Sequence, residues 1–296
     1  MNHLPQQQII GIGEVLWDML PEGNVLGGAP ANFVYNISQF GLPAKLVSAI
    51  GDDQLGRLAA ETLAQRRIDT VMATVSRPTG TVEVKLADEG IPSYDIKEHA
   101  AWDFIPLDKK LLELARTTTV ACFGSLAQRS QVSRDTINMF LDTMPDGHGR
   151  IKVFDINLRQ GFFSKEIIEQ SLTRCNMLKI NDEELAEVSR MLGLPQSGTE
   201  EICRRLMSEY IIDCVILTCG TKGSHVFGRS SSSFLPTPEV TVADTVGAGD
   251  SFTAAFIASL LRGKSIREAH RRAVEVSAYV CSCPGAMNIL PENLIK

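Results

Sequence analysis

Short β-branched runs alternate with helical patterns along most of this chain, and that alternation restricts the fold more than any other feature. Ile9 to Ile12, Leu46 to Ile50, Thr119 to Phe123, Ile151 to Ile156, Met177 to Ile180, Cys214 to Thr218 and Ser224 to Phe227 read as strands. Continuous apolar runs of this length, separated by helices, predict strands buried on both faces of a mostly parallel sheet. The helical segments carry clear punctuation. Pro30 opens a helix whose apolar side is Phe33, Val34, Ile37 and Phe40, and Gly41 stops it. Leu55, Leu58, Ala59, Thr62 and Leu63 repeat at helical spacing in the next. Ser265 with Glu268 forms a capping box. The helix it starts keeps Ile266, Ala269, Ala273, Val276 and Val280 on one face and ends at Pro284-Gly285.

One region breaks the alternation. From Gly80 to Phe104 no helical pattern occurs. Thr81, Glu83 and Lys85 alternate with Val82, Val84 and Leu86, the period of a half-exposed strand. Asp88-Glu89-Gly90 reads as a turn and Tyr94 to Ile96 as a return strand. The region is expected to leave the main sheet as a small β lid. Ser230 to Ser233 reads as a serine-rich loop.

The totals narrow the function classes. At 296 residues, 44% hydrophobic and 22% charged, the chain has the composition of an ordinary globular protein. A net charge of -6 without a basic patch argues against nucleic acid and anionic membranes as partners. The longest apolar stretch, near Phe252 to Leu261, is too short to span a bilayer, and Met1 to Gln8 carries no signal-peptide pattern. Seven cysteines, an odd number without a Cys-x-x-Cys pair, argue against a disulfide framework or zinc site and for a reducing cytoplasm. His3, His99, His148, His225 and His270 have no ligand spacing.

The segment with the most chemical content is Asp244-Thr245-Val246-Gly247-Ala248-Gly249-Asp250, which runs straight into the apolar helix Ser251-Phe252-Thr253-Ala254-Ala255-Phe256. Glycines let successive N–H groups point one way, and the helix start adds unpaired N–H groups and the positive end of its dipole. Together they make an anion pocket suited to a transferring phosphoryl group. Asp250 stands at its mouth. The positive helix end favours its ionised form, so it is available to take a proton from an attacking hydroxyl. A plain Gly-rich turn with Asp as a helix cap is the competing reading.

At these residues the whole chain resembles the PfkB, or ribokinase-like, carbohydrate kinases. Residues 244–250 match the family's C-terminal signature at every fixed position. Gly27-Gly28-Ala29-Pro30-Ala31-Asn32 fits its N-terminal signature, and the two lie in the expected order. The resemblance implies an α/β fold in one domain over 1–296, a three-layer α/β/α sandwich. Its lid would come from 80–104, with 18–25 as a further contributor. ATP and Mg2+ are implied as cofactors, with the N–H groups of Gly247, Ala248 and Gly249 as the anion hole and Asp250 as the catalytic base. Asp18, Gly28, Asn32, Asn157 and Arg159 would join Asp250 in binding the sugar. Asn181, Thr218, Gly220 and Gly223, with Gly247 and Gly249, would approach ATP. Glu184 would support magnesium through water, and Asp244 would be the side-chain ligand of a K+ ion beside carbonyls of Val246 and the Cys283 to Gly285 loop.

Several of these positions also have plain structural readings. Asn181 with Glu184 is a helix capping box, Gly220 and Gly223 suit a tight turn, and Asp155 to Arg159 is a polar loop after a strand. Gly51-Asp52-Asp53-Gln54-Leu55-Gly56 reads as a turn and helix cap. The family's lids often pair between subunits, so a homodimer is expected. The substrate expectation is a free sugar, most like the fructokinase branch, with 2-keto-3-deoxygluconate kinase and ribokinase as alternatives. A non-catalytic sugar sensor would be expected to lack Asp250 or the glycines. A dinucleotide-dependent oxidoreductase lacks support, because Gly11-Ile12-Gly13 is not followed by a third glycine.

Overall fold

The computed structural model describes residues 7–21, 23–86, 92–147, 149–195 and 197–296. The turn expected at Asp88-Glu89-Gly90 lies outside them, as do His3 and His148. In chain order the strands are β1 (Ile9–Ile12), β2 (Leu16–Leu20), β3 (Gly23–Gly27), β4 (Ala44–Gly51), β5 (Asp69–Val75), β6 (Gly80–Leu86) and β7 (Pro92–Ile96). They continue with β8 (Val120–Phe123), β9 (Ile151–Asp155), β10 (Met177–Asn181), β11 (Cys214–Thr218), β12 (Ser224–Gly228) and β13 (Ser232–Leu235). The helices are α1 (Ala29–Ser38), α2 (Gln54–Gln65), α3 (Lys109–Thr117), α4 (Gln131–Thr143), α5 (Lys165–Leu172), α6 (Asp182–Leu192), α7 (Thr199–Tyr210), α8 (Ala248–Leu261), α9 (Ile266–Cys281) and α10 (Glu292–Ile295).

The apolar runs lie side by side in one sheet of order β13-β12-β11-β10-β9-β8-β1-β4-β5. All of its pairings from β11 across to β5 are parallel, and only β12 runs the other way, pairing antiparallel with β11 and β13. Alternation along each strand divides the core in two. Ile10, Ile12, Leu178, Ile180, Val215 and Leu217 face a cluster shared with α3 to α7. Ile9, Met177, Cys214 and Ile216 face the cluster of α1, α2, α8 and α9. The result is the expected α/β/α sandwich. Helix α8 is buried from Ser251 to Ser259, as an apolar surface on every side requires.

Four strands escaped the sequence reading. β2 and β3 form an antiparallel pair, and β2 pairs in parallel with β6, giving a second sheet of order β3-β2-β6-β7. Strands β2 and β3 thus share one sheet with β6 and β7. β5 is an edge strand with mixed exposure, so its apolar signal is weak. The serine-rich segment expected as a loop is partly strand: Ser232 to Leu235 pairs with β12. An edge strand needs only backbone pairing along one side, which side-chain patterning does not report.

The segment Gly80 to Phe104 also divides. Its strands belong to the small sheet, but Ala101–Phe104 is a 3-10 turn in the main body. Trp102 there is fully buried in the main core. Burying its large ring against the body fixes where the excursion ends.

The Gly51 to Gly56 segment is a cap, as expected. Asp53 is the N-cap of α2 and accepts from the Gly56 N–H at 2.7 Å. It also accepts from the Thr79 N–H at 2.8 Å and the Thr79 hydroxyl at 2.6 Å, tying α2 to the start of β6. Asp53→Ala is expected to lower the unfolding free energy by about 1–2 kcal/mol, the usual cost of a lost cap. Asp53→Asn, which keeps an acceptor, is expected to lose less. Urea titration checks both.

Candidate active site

The carboxyl ends of β1, β9, β10 and β11 open toward the tip of α8, where a parallel sheet ordinarily binds its ligand. Two adjoining cavities occupy this crevice, of about 740 and 830 Å³. Asp18, Gly28, Asn32, Asn157, Arg159, Glu184, Gly247 and Asp250 line the first. Gly220, Gly223 and Ala248 line the second, beside apolar Val240, Val242 and Phe252. Asn181, Thr218, Thr245 and Gly249 belong to both walls, so the cavities are two ends of one cleft.

Asp250 sits in the first turn of α8, where its Oδ2 accepts from the Asn32 amide of α1 at 2.8 Å. The helix end was expected to favour its ionised form, and burial acts against that. Burial, followed by repulsion from Asp155, pushes the Asp250 carboxyl up to about 6, against the pull of Asn32, Lys179 and Arg159. A group so placed is mostly ionised at neutral pH yet basic enough to take a proton.

The turn before α8 needs its glycines for space as well as for N–H geometry. Gly247 is the N-cap at φ 76°, and a Cβ there would lie 2.3 Å from Cβ of Ala286. Gly28 is tight in the same way. A Cβ on it would come within 2.4 Å of the Glu14 carbonyl oxygen. Of the three expected anion-hole amides, that of Ala248 turns back to the Thr245 carbonyl at 3.3 Å, and its residue lines the second cavity.

Asn181 and Glu184 realise their capping box in full. The Asn181 side chain accepts from the Glu184 N–H at 2.8 Å, and Glu184 Oε2 accepts from the Asn181 N–H at 3.0 Å. Glu184 Oε1 further accepts from the Leu158 N–H at 2.9 Å, which anchors the loop carrying Asn157 and Arg159. Asp18, on β2, is displaced upward by burial and then by Asp244. Asp244 lines neither cavity. Its Oδ1 accepts from the Val246 N–H at 3.0 Å and its Oδ2 from the Gly285 N–H at 3.1 Å. It meets N–H groups of the same segments whose carbonyls were expected around a potassium ion, and it ties the two loops together.

Two cavity residues were missed from sequence. Lys179 lies in the middle of buried β10, and its Nζ pairs with Asp155 Oδ1 at 2.9 Å. Its Nζ also stands against Gly249, where a Cβ would meet it at 2.9 Å. Burial would lower its pKa, but Asp155 and then Glu184 outweigh that, and the net direction is upward. Glu14 is buried, with Oε1 accepting from the Ala29 N–H at 3.1 Å and Oε2 without a partner. Burial drives its carboxyl up to about 7. The available signal was a charged residue inside or just after an apolar strand, which is costly unless something at the site uses it.

The arrangement joins a near-neutral carboxyl, a buried ammonium and a helix N-terminus on one cleft. Such a set can accept a proton from a hydroxyl while holding an anionic group beside it. Among the described residues, no cluster of three or more His, Cys, Asp or Glu side chains could hold a metal ion, and no helix is long and apolar enough to cross a membrane.

Comparison with known proteins agrees with this geometry. Residues 22–293 match the profile of the pfkB family carbohydrate kinases. A fructokinase of Klebsiella pneumoniae is 28% identical over 265 residues, covering 84% of this chain and 83% of its own. The crystal structure of a Xylella fastidiosa fructokinase with bound ATP superposes with a TM-score of 0.83 at 20% identity, covering 97% and 95% of the two chains. A Vibrio cholerae fructokinase in its fructose, ADP and calcium ion bound form gives 0.81 at 23% identity, covering 98% of each chain. The chain belongs to the pfkB family of carbohydrate kinases, phosphotransferases that act on a sugar hydroxyl.

Proposed function

We propose that this kinase transfers the γ-phosphoryl group of ATP to a hydroxyl of a free hexose, with fructose as the substrate. The observation that carries the reading is the Asp250 carboxyl, held by Asn32 at the tip of α8 in the wall of the first cavity. The sugar lies in that cavity among Asp18, Gly28, Asn32 and Asn157. ATP lies along the second, past Thr218, Gly220 and Gly223, with its γ-phosphoryl group at Gly247 and Gly249. Asp250 takes the proton from the attacking hydroxyl as that oxygen bonds to phosphorus and ADP leaves. The ammonium of Lys179, held in place by Asp155, attracts the negative charge that gathers there.

Magnesium fits this site as an ion carried mainly by phosphates and water. Asn181 and Glu184 offer hard oxygen ligands at the junction of the cavities, and each Glu184 oxygen has acceptor capacity left beside its one N–H partner. The ion would neutralise phosphate charge. The small sheet is the proposed lid, excluding water from the transfer.

The choice of fructose is supported by the fructokinases among the relatives and by the carboxyl and amide groups around the cavity, which can accept hydrogen bonds from sugar hydroxyls. Arg159 favours one second reading. It lines the cavity and is exposed, with Nη1 on the carbonyl of Leu158, so it could bind the carboxylate of 2-keto-3-deoxygluconate. ADP release measured over fructose, 2-keto-3-deoxygluconate, ribose and adenosine separates these. Turnover highest with fructose supports the proposal, and turnover highest with the keto acid replaces it.

Four further outcomes are expected in the same assay. Asp250→Asn loses about 100-fold or more in kcat while still binding ATP. In the unmodified enzyme, kcat/KM for the sugar declines as pH drops through about 6, because a protonated Asp250 cannot accept the proton. Lys179→Met moves that limb to higher pH, since the ammonium that pulls the Asp250 pKa down is gone. Glu14→Gln, which turns a buried acceptor into a donor, raises the sugar KM about tenfold or more, the size of one lost charged hydrogen bond. An unchanged pH limb in Lys179→Met would remove the lysine from the account of Asp250.

A further inference from the structure

Outside the cleft, one buried ion pair has no part in the chemistry just described. Arg129 follows the 3-10 turn Leu126–Gln128 and precedes α4. Its side chain is only 7% exposed and that of its partner Asp103 3%. Nε donates to Asp103 Oδ1 at 2.8 Å, and Nη2 donates to Asp103 Oδ2 at 2.8 Å and to the Lys97 carbonyl at 2.6 Å. The guanidinium lies 4.1 Å from the ring centroid of Trp102 and 4.4 Å from that of Phe162.

These contacts belong to three separate parts of the molecule. Lys97 is the first residue after β7. Its N–H donates to the Thr81 carbonyl of β6, and its Nζ pairs with Glu83 and Asp95, so its carbonyl marks the root of the small sheet. Trp102 and Asp103 belong to the main body. Phe162 ends the loop that brings Asn157 and Arg159 to the first cavity, and its N–H donates to the Arg159 carbonyl at 3.1 Å.

That loop has an intrinsic reason to need holding. Asn157 and Gln160 both adopt left-handed backbone, at φ 51° and 49°, which side-chain-bearing residues disfavour. Glu184 fixes it at Leu158, and the Phe162 ring on Arg129 is its second anchor. A buried ion pair is a poor choice for stability alone, because desolvation offsets the attraction. Here Arg129 also leaves its Nη1 buried without a partner. Its planar fork and two stacking faces do, however, define a geometry that neither lysine nor an apolar residue reproduces.

We propose that Arg129 is a positioning residue for sugar phosphorylation, clasping the root of the small sheet to the loop that carries Asn157 and Arg159. The role rests on the assignment of the first cavity to the sugar. With the clasp in place, the proposed lid and the sugar-side loop keep one relative position over Asp250. Without it, both still form, but their registration over the cavity is lost.

Two variants test this. Arg129→Lys keeps the charge and removes the fork and the stacking, while Phe162→Leu removes only the loop-side contact and spares the Asp103 pair. Both are expected to raise the sugar KM at least tenfold with the ATP KM within twofold, and to raise the fraction of ATP hydrolysed without sugar. Hydrogen–deuterium exchange should quicken at 157–164 in both variants, and also at 92–97 in Arg129→Lys. A variant that melts earlier yet keeps the sugar KM, the coupling and the exchange of these segments would overturn the clasp. If Arg129→Lys does not fold, Phe162→Leu decides by the same readouts at 157–164. Failure of the sugar assignment looks different: the unmodified enzyme then shows no sugar-stimulated ATP consumption. The exchange data, which need no substrate, still decide the clasp.

Discussion

A buried helix whose first turn ends at a cavity is the constraint on which the rest of this structure depends. Helix α8 is surrounded by core from Ser251 to Ser259, between α1, α9 and the sheet. Its unpaired N–H groups therefore cannot be met by bulk water except at its tip. The tight turn at Gly247, pressed against Ala286, sets where that tip stands. The Asn32 amide reaches it from α1, the neighbour in the same layer. Fixing α8 thus fixes the direction of the Asp250 carboxyl and the position of the surrounding N–H groups together.

The charge pattern around the tip follows from the same burial. Asp155, Lys179 and Glu14 are buried and Asp250 is half-buried beside them, and of the four only Asp155 and Lys179 form a close ion pair. Thr253 of α8 completes the Asp155 carboxylate with a hydrogen bond at 3.2 Å. Burial raises the pKa values of the two carboxyl groups outside the pair, against the pull of Arg159 on both. A site arranged like this favours a bound ligand that brings its own hydrogen-bond donors. A polyhydroxy compound meets that requirement, while a second anion needs the help of N–H groups and Arg159.

The two sides of the cleft are built differently. The α8 side is rigid because it is core. The opposite side is assembled from β2, from the small sheet and from a loop with two strained residues, none of which has a core of its own. Its geometry rests on a few polar anchors reaching out of the main body, Asp53 to Thr79, Glu184 to Leu158 and Arg129 to Lys97. This division suits the proposed mechanism, in which the phosphoryl site stays fixed while the proposed lid moves over the sugar.

The local pattern of the chain was enough to read the parallel sheet, most of the strands, the helix caps and the Gly-rich turn before Asp250. Apolar period, capping boxes and turn glycines all act within a few residues, so they are legible without a fold. The resemblance to the PfkB family named the sugar- and nucleotide-contacting candidates, and they line the walls of one cleft, while the local reading missed where the signal was not local. β5 and β13 are edge strands defined by backbone pairing, and Trp102 joined the body because the body had room for its ring. What tertiary structure alone decided was charge and depth. Lys179 beside Gly249, Glu14 without a second partner, Asp244 on N–H groups and Arg129 between two rings all bring together residues distant in sequence. Desolvation depends on what surrounds a group in space, and no run of neighbouring residues encodes that.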